Sequence, residues 1–372
     1  MAVETVGAAR QERSKRVRQQ IIDCDVHPVT KDGIGSIAGY LSTEWRKRFE
    51  QKGAFTQTSF LTPRFSHPNG YIIRSDAAPP GGGPGGSDPK FVAADLLDRW
   101  GIDVAVLNSI QVGGLVSALT GPDESIALAA AFNDYWLSEW CGADERFRVA
   151  ITVPTQDPIA AAAEVRRLGA NPAVSAVALP MINVLVGNRH YHPIYEAAAE
   201  HGLPILLHVT GTDYVYQGAP AGMGWPENYV ERYVALAQIG ISNLGSLVFS
   251  GVFERFPGLK FIFVEFGFGW ALPALWRMDK AWQALRVETP WVKRFPSEYV
   301  RERVRFTTQP LDEPADPKHL YSLIEMLGDE VLCFSTDYPH WDNDPPNLVL
   351  KGLDAQARQR VFWQNAASTF RL

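Results

Sequence analysis

Asp25 and His27 are the first residues of this chain whose types and spacing suggest chemistry. They end a short apolar run that begins at Ile21, and residues i and i+2 of a β-strand project from the same side. A carboxylate oxygen and an imidazole nitrogen placed together form half of a site for a first-row metal ion. An isolated Asp-x-His pair is also common in loops, so a metal site needs further ligands from elsewhere in the chain.

Three more apolar runs end in a residue that can bind a metal ion, namely His208, Glu265 and Asp337. Two of them have plain alternatives, because His208 could bond the backbone at the edge of the core and Glu265 could form an ion pair with Arg277. A buried carboxylate is costly unless it is paired, hydrogen-bonded or bound to a cation. As a set, the ligands predict a mononuclear metal site with an open position, or a dinuclear one.

Eight short runs rich in Val, Ile, Leu and Phe must position these residues, and most alternate with helical patterns. This is the pattern of buried parallel strands in βα units. Eight such units favour a closed (β/α)8 TIM barrel over an open doubly wound sheet, and its active site lies at the C-terminal ends of the strands. The first predicted strand begins at Ile21, and the others cover residues 103–109, 147–153, 174–180, 203–209, 259–265, 303–308 and 330–336.

Two segments without regular periodicity predict long βα-loop insertions. Residues 52–90 are dense in Pro and Gly and predict a long loop, disordered at its centre or folded as a lid. Residues 211–227 directly follow the fifth strand and therefore lie on the catalytic face, where their aromatic side chains could contact a substrate or pack on the barrel rim. The candidate substrate-binding residues are Arg64, Tyr214, Trp225, Phe268 and Trp341, which together suggest a cyclic or aromatic substrate.

Composition excludes several classes of protein. The net charge of −6 and the pI of about 5.8 argue against nucleic acid as a partner. No apolar run reaches the roughly 18 residues that a membrane helix needs, and residues 1–20 lack a signal-peptide core and predict a disordered arm before a single domain over 21–372. Three widely spaced cysteines argue against a disulfide framework and for the reducing cytoplasm.

These motifs resemble the amidohydrolase superfamily, and in particular the group that includes aminocarboxymuconate-semialdehyde decarboxylase and related aromatic acid decarboxylases. The resemblance implies a (β/α)8 barrel that holds a divalent metal ion, with zinc the expected metal and iron or manganese as alternatives. His27, His208 and Asp337 match ligand positions of the family, whereas Asp25 stands where His or Glu is usual. The resemblance rests on the segments IIDCDVHP, LLHVTG, FPGLKFIFVEFGFGW, FSTDYPHWD and WQNAASTFRL.

Glu265 is the main departure from the decarboxylases of this group, which carry a histidine at that position. This difference makes metal-dependent hydrolysis of an amide, ester, lactone or thioester our first prediction. Asp337 would move the proton of the metal-bound water, Glu265 would bind or steer that water, and His340 would donate to the developing oxyanion or pack structurally.

Two alternatives stay open at this stage. The first is metal-dependent, non-oxidative decarboxylation of an aromatic or unsaturated acid, and the second is an inactive barrel that acts as a binding protein. Metal analysis separates the binding protein from the enzymes, because an inactive scaffold need not retain stoichiometric metal. A homodimer is expected, since two-fold dimers are the commonest oligomers and the resemblance agrees.

Overall fold

A single parallel sheet organises the part of the chain that the computed structural model describes, which is residues 18–52, 72–119, 121–209 and 228–372. Its strands follow one another in space in the same order as in the sequence, and every neighbouring pair is parallel. The C-terminal ends of all strands therefore lie on one face. The strands are β1 Ile22–Val26, β2 Val104–Leu107, β3 Phe147–Thr152, β4 Val174–Ala178, β5 Ile205–His208, β6 Phe261–Val264, β7 Val304–Thr307 and β8 Leu332–Cys333.

Backbone hydrogen bonds between β1 and the segment that begins with β8 close the sheet into a barrel. The amide of Cys24 donates to the carbonyl of Phe334 over 3.0 Å, and the amide of His27 donates to that of Tyr338 over 2.8 Å. The amide of Asp337 in turn donates to the carbonyl of Asp25. The predicted (β/α)8 barrel is thereby confirmed, and its closure sets the first and last predicted ligand segments side by side.

Burial on both faces explains why the strands read as continuous apolar runs. Small and β-branched side chains such as Cys24, Val106 and Ala150 form a cluster drawn from alternate strand positions, which fills the inside of the barrel. The other strand face packs against the surrounding helices in a much larger apolar cluster. Cys24 and Cys333 belong to the inner cluster and are free thiols, as expected from their apolar surroundings.

The helices that return the chain between strands carry recognisable start signals. Asp88, Asp157 and Asp316 each precede a proline at the first helical position, and each side chain accepts from backbone amides of the first turn. The helices are α1 Thr43–Lys52, α2 Pro89–Val92, α3 Ile110–Ala118, α4 Pro122–Tyr135, α5 Pro158–Leu168, α6 His192–Glu200, α7 Tyr229–Val234, α8 Leu236–Phe249, α9 Val252–Arg255, α10 Ala271–Leu285, α11 Pro296–Arg303, α12 Pro317–Leu327, α13 Ala355–Gln359 and α14 Asn365–Ala367.

Several predictions fall on residues outside the described ranges, including most of the N-terminal arm, the centre of the first long loop and the loop at 211–227. Where the arm enters the described region, Arg18 pairs with Asp103 at 2.9 Å. The described end of the first loop contains a short 3-10 helix at Ser75–Ala77. Among the described residues, no helix combines the length and the apolar character that crossing a membrane requires.

Candidate metal centre

Asp25 and His27 lie together at the C-terminal end of β1, as their i, i+2 spacing predicts. Oδ2 of Asp25 is 3.2 Å from Nε2 of His27, and both side chains are almost completely buried. A carboxylate and an imidazole so placed can share one cation.

Asn108, just beyond β2, orients both of these side chains. Its backbone carbonyl lies 2.7 Å from Nδ1 of His27, and because a carbonyl can only accept, Nδ1 carries the proton. Nε2 of the neutral ring then presents a lone pair to the Asp25 carboxylate. The side-chain amide of Asn108 donates to Oδ1 of Asp25 over 3.0 Å, which leaves Oδ2 turned towards His27. A lone pair facing a carboxylate oxygen is repulsive unless a proton on the nitrogen or a metal cation lies between the two atoms.

His208 and Glu265 extend the cluster from β5 and β6, which are hydrogen-bonded neighbours. Nε2 of His208 is 2.9 Å from Oε2 of Glu265 and 3.6 Å from Oδ2 of Asp25. Both side chains are buried, and the exposed Arg277 does not pair with Glu265, so the predicted alternative of an ion pair is wrong.

Two of the carboxylates sit on backbone that departs from the usual strand geometry. Glu265 and Asp337 have φ values of 64° and 63°, in the left-handed region that side chains other than glycine rarely adopt. Such a residue costs on the order of 1–3 kcal/mol and persists only where its surroundings hold it. The amide of Glu265 is held by Oγ1 of Thr307 on β7 over 3.1 Å. The turn at each strand end thereby aims a carboxylate across the barrel mouth.

Asp337 joins the cluster from the segment after β8 and brings His340 with it. Its Oδ1 lies 2.7 Å from Nε2 of His27 and 2.7 Å from Nδ1 of His340. The rings of His27 and His340 stack with centroids 4.4 Å apart. With Asp337 ionised, Nδ1 of His340 donates to it, so the neutral ring offers a lone pair at Nε2. In that state Nε2 of His340 can accept, and the oxyanion donation predicted for His340 stays a prediction.

Burial and mutual contact shift the pKa values of these groups in opposite directions. Burial raises the pKa of the Asp337 carboxyl to about 6, although its hydrogen bond with His27 opposes the rise. Burial also lowers the pKa of His340 to about 3. For His27, burial opposes protonation, but the carboxylates of Asp25 and Asp337 raise its pKa well above the ordinary value. For Asp25, burial is outweighed by His27 and His208, which hold its pKa below the usual range.

The cluster has the composition that a divalent metal ion requires. Among the described residues no Lys or Arg pairs with its carboxylates, whose ion-pair partners are histidines. The negative charge is thus balanced either by protons on imidazoles or by a cation that displaces them. Two overlapping groups offer ligand atoms that all lie within 4.8 Å of one another, one of Asp25, His27, His208 and Glu265, and the other of His27, Glu265, Asp337 and His340.

Comparison with known proteins agrees with this architecture. Residues 22–372 match the model of a family described as amidohydrolase, Amidohydro_2. The chain belongs to this amidohydrolase family. Family membership supports the prediction of an enzyme of this superfamily over the alternative of an inactive binding protein.

Relatives of the chain include decarboxylases. It is 28% identical over 313 residues to a gamma-resorcylate decarboxylase from Rhodococcus jostii, across 77% of this chain and 88% of that protein. It is 23% identical over 263 residues to the 2-amino-3-carboxymuconate-6-semialdehyde decarboxylase of Dictyostelium discoideum, across 68% of this chain and 67% of the relative. A solved dihydroxybenzoic acid decarboxylase from a Polaromonas species, with bound manganese and an inhibitor, shares its fold with a TM-score of 0.62 at 19% identity, covering 95% of this chain and 97% of that one.

These relatives correct the predicted reaction. Hydrolysis was favoured because Glu265 stands where decarboxylases of the group carry histidine, and that prediction is wrong in view of the decarboxylase relatives. A single altered side chain at the site is weaker evidence than similarity along most of the chain. The assignment of zinc also has no specific support, whereas a divalent metal ion is supported by the buried ligand groups of this chain.

The predicted substrate-binding residues are only partly placed. Arg64, Tyr214 and Trp225 lie outside the described residues. Phe268 is fully buried in the large apolar cluster, so its ring supports the barrel wall in this structure. Trp341 is 42% exposed and lies near the ring of Tyr233. A substrate contact of either ring stays a prediction.

Two amides were missed by reasoning from sequence, Asn108 and Gln309. Asn108 lies at the end of the second predicted strand and Gln309 directly follows the seventh, which was the available signal, but neither is a preferred metal ligand. Asn108 contacts Asp25 and His27, and Gln309 contacts Asp337. Both act on residues far away along the chain.

Replacing Asn108 by alanine is expected to weaken metal binding about 10–100-fold, the usual cost of losing a group that orients a metal ligand. The variant frees Oδ1 of Asp25 but keeps the backbone carbonyl that receives the proton of His27. Titration of the metal-free protein with Mn²⁺ or Zn²⁺ measures the change, and Asn347→Ala at an exposed position is the matched control. Unchanged affinity in Asn108→Ala would show that Asp25 needs no such support.

Proposed function

We propose that this protein is a divalent-metal-dependent decarboxylase that removes CO2 from a hydroxylated aromatic acid without oxidation. The observation that carries the proposal is the similarity over 313 residues to a gamma-resorcylate decarboxylase, supported by a second decarboxylase among the relatives. The buried centre suits such a substrate, because a cation amid low-dielectric surroundings can compensate the charge of a carboxylate brought out of water.

Asp25, His27, His208 and Glu265 are the residues that would hold the metal ion. A cation held there would supply positive charge that attracts the substrate carboxylate and stabilises the negative charge that develops during reaction. The remaining chemistry breaks one carbon–carbon bond and transfers one proton. The bond between the ring carbon and the carboxylate carbon breaks, CO2 leaves, and the electron pair on the ring carbon takes up a proton.

Asp337 is the residue that we assign to the proton transfer. Its carboxyl is fully buried and contacts the imidazoles of His27 and His340, so it lies within the cluster while being attached to a different strand from the other carboxylates. It would deliver its proton to the ring carbon and regain one from solvent. A positioned carboxylic acid of this kind typically contributes about 10²–10⁴-fold to a rate.

A small recess with mainly apolar walls lies beside the centre. It lies along β2 to β5 and is lined by Ile110, Leu179 and Leu206 together with Asn108 and His208. Apolar walls with a few polar anchors are typical of sites for small molecules.

The metal is proposed as a first-row divalent ion whose identity experiment must decide. Imidazole ligands suit zinc and iron, whereas carboxylate ligands suit manganese, and the cluster contains both kinds. The manganese described for the Polaromonas enzyme makes Mn²⁺ the first ion to test.

Removing the metal with a chelator is expected to abolish CO2 release, and adding back Mn²⁺ or Zn²⁺ is expected to restore it. The assay would present 2,6-dihydroxybenzoate and other hydroxybenzoates to the reconstituted protein and measure CO2 together with the arene product. In D2O the product should carry one deuterium at the carbon that bore the carboxylate. Metal at about 100 times its dissociation constant should also stabilise the folded state by about 2.7 kcal/mol.

A parallel panel of aryl esters and lactones tests the competing chemistry. Metal-dependent ester cleavage without CO2 release from any aromatic acid would overturn the proposal. Elemental analysis of the same sample measures whether one or two metal ions bind per chain.

A further inference from the structure

Gln309 lies just beyond β7, a strand that supplies none of the ligands of the metal centre. Its side chain is almost completely buried, and Nε2 is 3.1 Å from Oδ2 of Asp337 and 3.1 Å from Oδ2 of Asp342. Because carboxylate oxygens accept, the nitrogen of the amide must face them and its oxygen must point elsewhere. Gln309 therefore donates to two acids at once.

The orientation of this amide is set by those acids. Among the described residues Oε1 of Gln309 has no hydrogen-bond partner although it is buried. An unpaired buried acceptor is costly and makes no bond that could orient the amide. The hydrogen bonds of Nε2 therefore set the orientation of the Gln309 side chain. Its backbone is held independently, because the amide donates to Oγ of Ser335 and the carbonyl accepts from Oγ1 of Thr307.

The two carboxylate oxygens of Asp337 have different partners. Oδ1 faces His27 and His340, whereas Oδ2 accepts from Gln309. Without that donor the carboxylate could rotate about its last bond and exchange its oxygens. Gln309 thus determines which oxygen faces the metal centre.

Asp342 and Tyr233 continue the network away from the centre. The hydroxyl of Tyr233, on α7, donates to Oδ2 of Asp342, the same oxygen that accepts from Gln309. The ring of Tyr233 stacks on that of Tyr229 and is therefore held by a neighbour on its own helix. The hydrogen bonds form one line from Tyr233 through Asp342 and Gln309 to Asp337.

We propose that Gln309 is a positioning residue for Asp337, and that Tyr233 and Asp342 act on Asp337 through it. The role of Asp337 in proton transfer rests on the proposed function, whereas its orientation towards the metal ligands does not. Asp337 belongs to the second of the two ligand groups, with His27, Glu265 and His340. Groups that orient metal ligands typically change metal affinity or activity about 10–100-fold when removed. We assign that range to Gln309 and a smaller effect in the same direction to Tyr233.

The test combines Gln309→Met, which keeps the length of the side chain but removes the donor, with Tyr233→Phe in a double-mutant cycle. Apparent dissociation constants for Mn²⁺ and Zn²⁺ are measured on metal-free protein, and kcat and KM are measured with metal bound. We expect Gln309→Met to weaken metal binding about 10–100-fold and to lower kcat more than it alters KM. Tyr233→Phe should then change metal affinity by less than about twofold in the Gln309→Met background, because coupled residues are not additive.

The exposed Gln356 and the partly buried Tyr40 supply matched controls. Gln356→Met and Tyr40→Phe make the same chemical changes away from the centre, and Tyr40 also loses a hydrogen bond to a carboxylate, that of Glu139. Wild-type metal affinity in Gln309→Met, or losses that multiply in the double variant, would overturn the inference. If the wild-type protein binds metal but releases no CO2, the proposed function fails while the affinity cycle still decides the role of Gln309.

Discussion

Replacing Asp337 by asparagine is expected to lower kcat for decarboxylation by about 10²–10⁴-fold, because an amide cannot deliver the proton that the ring carbon takes up. The change preserves the size of the side chain, so the fold and the recess should be retained. Measuring kcat at saturating metal, with metal content determined on the same sample, separates the lost proton donor from a lost ligand.

Asp98→Asn is the matched control for this prediction. Its side chain is 63% exposed and pairs with Arg146 on the outside of the protein, so activity should be unchanged. A kcat within about threefold of wild type in fully metal-loaded Asp337→Asn would falsify the assignment of the proton donor to this residue.

Replacing His208 by alanine is expected to remove metal and activity together. Its Nε2 lies between the carboxylates of Glu265 and Asp25, at 2.9 Å and 3.6 Å, so the variant leaves two buried acids without their shared partner. A site that loses one of its protein ligands should bind the metal ion at least about 100-fold more weakly. This exceeds the loss expected when only a group that orients a ligand is removed. The stabilisation of about 2.7 kcal/mol expected from saturating metal should disappear with it.

Elemental analysis and thermal unfolding with and without added metal measure these effects. His319→Ala, at an exposed position of α12, is the control for loss of an imidazole. Full metal occupancy in His208→Ala would place His208 outside the centre and would leave Asp25, His27 and Glu265 as the remaining candidates.

The barrel could be predicted from sequence because the information that specifies it is local. Parallel strands buried on both faces need unbroken apolar runs, and each of the eight predicted runs contains an observed strand. The predicted runs exceed the strands at their ends, as at 330–336 against Leu332–Cys333. Hydrophobicity continues past the last ladder hydrogen bond, so it cannot mark where pairing stops.

The predicted ligand set depended on one further rule, that the strands of such a barrel end on a common face. This rule predicts that the residues at the strand ends form one cluster. They are Asp25, His208, Glu265 and Asp337. The rule carries no information on the atoms that meet. The contact of Nδ1 of His340 with Asp337 follows from the turn after β8.

The role of the two amides that orient the ligands is evident only in the tertiary structure. Asn108 contacts residues of β1 about eighty positions earlier in the chain, and Gln309 contacts Asp337 after β8. Asn and Gln are common at strand ends, and nothing in their neighbourhood in the sequence distinguishes a residue that holds a carboxylate from one that faces water.

The sequence by itself determined the barrel and the types of side chain at its mouth. It did so through the order of the apolar runs and of the polar residues that end them. Tertiary structure decided which oxygen of each carboxylate faces inward, which nitrogen of His27 carries its proton, and which amides hold them. The physical reason is separation along the chain. Strand formation follows from side chains that are neighbours in sequence, whereas the direction of a hydrogen bond depends on groups that only closure of the barrel brings within about 3 Å.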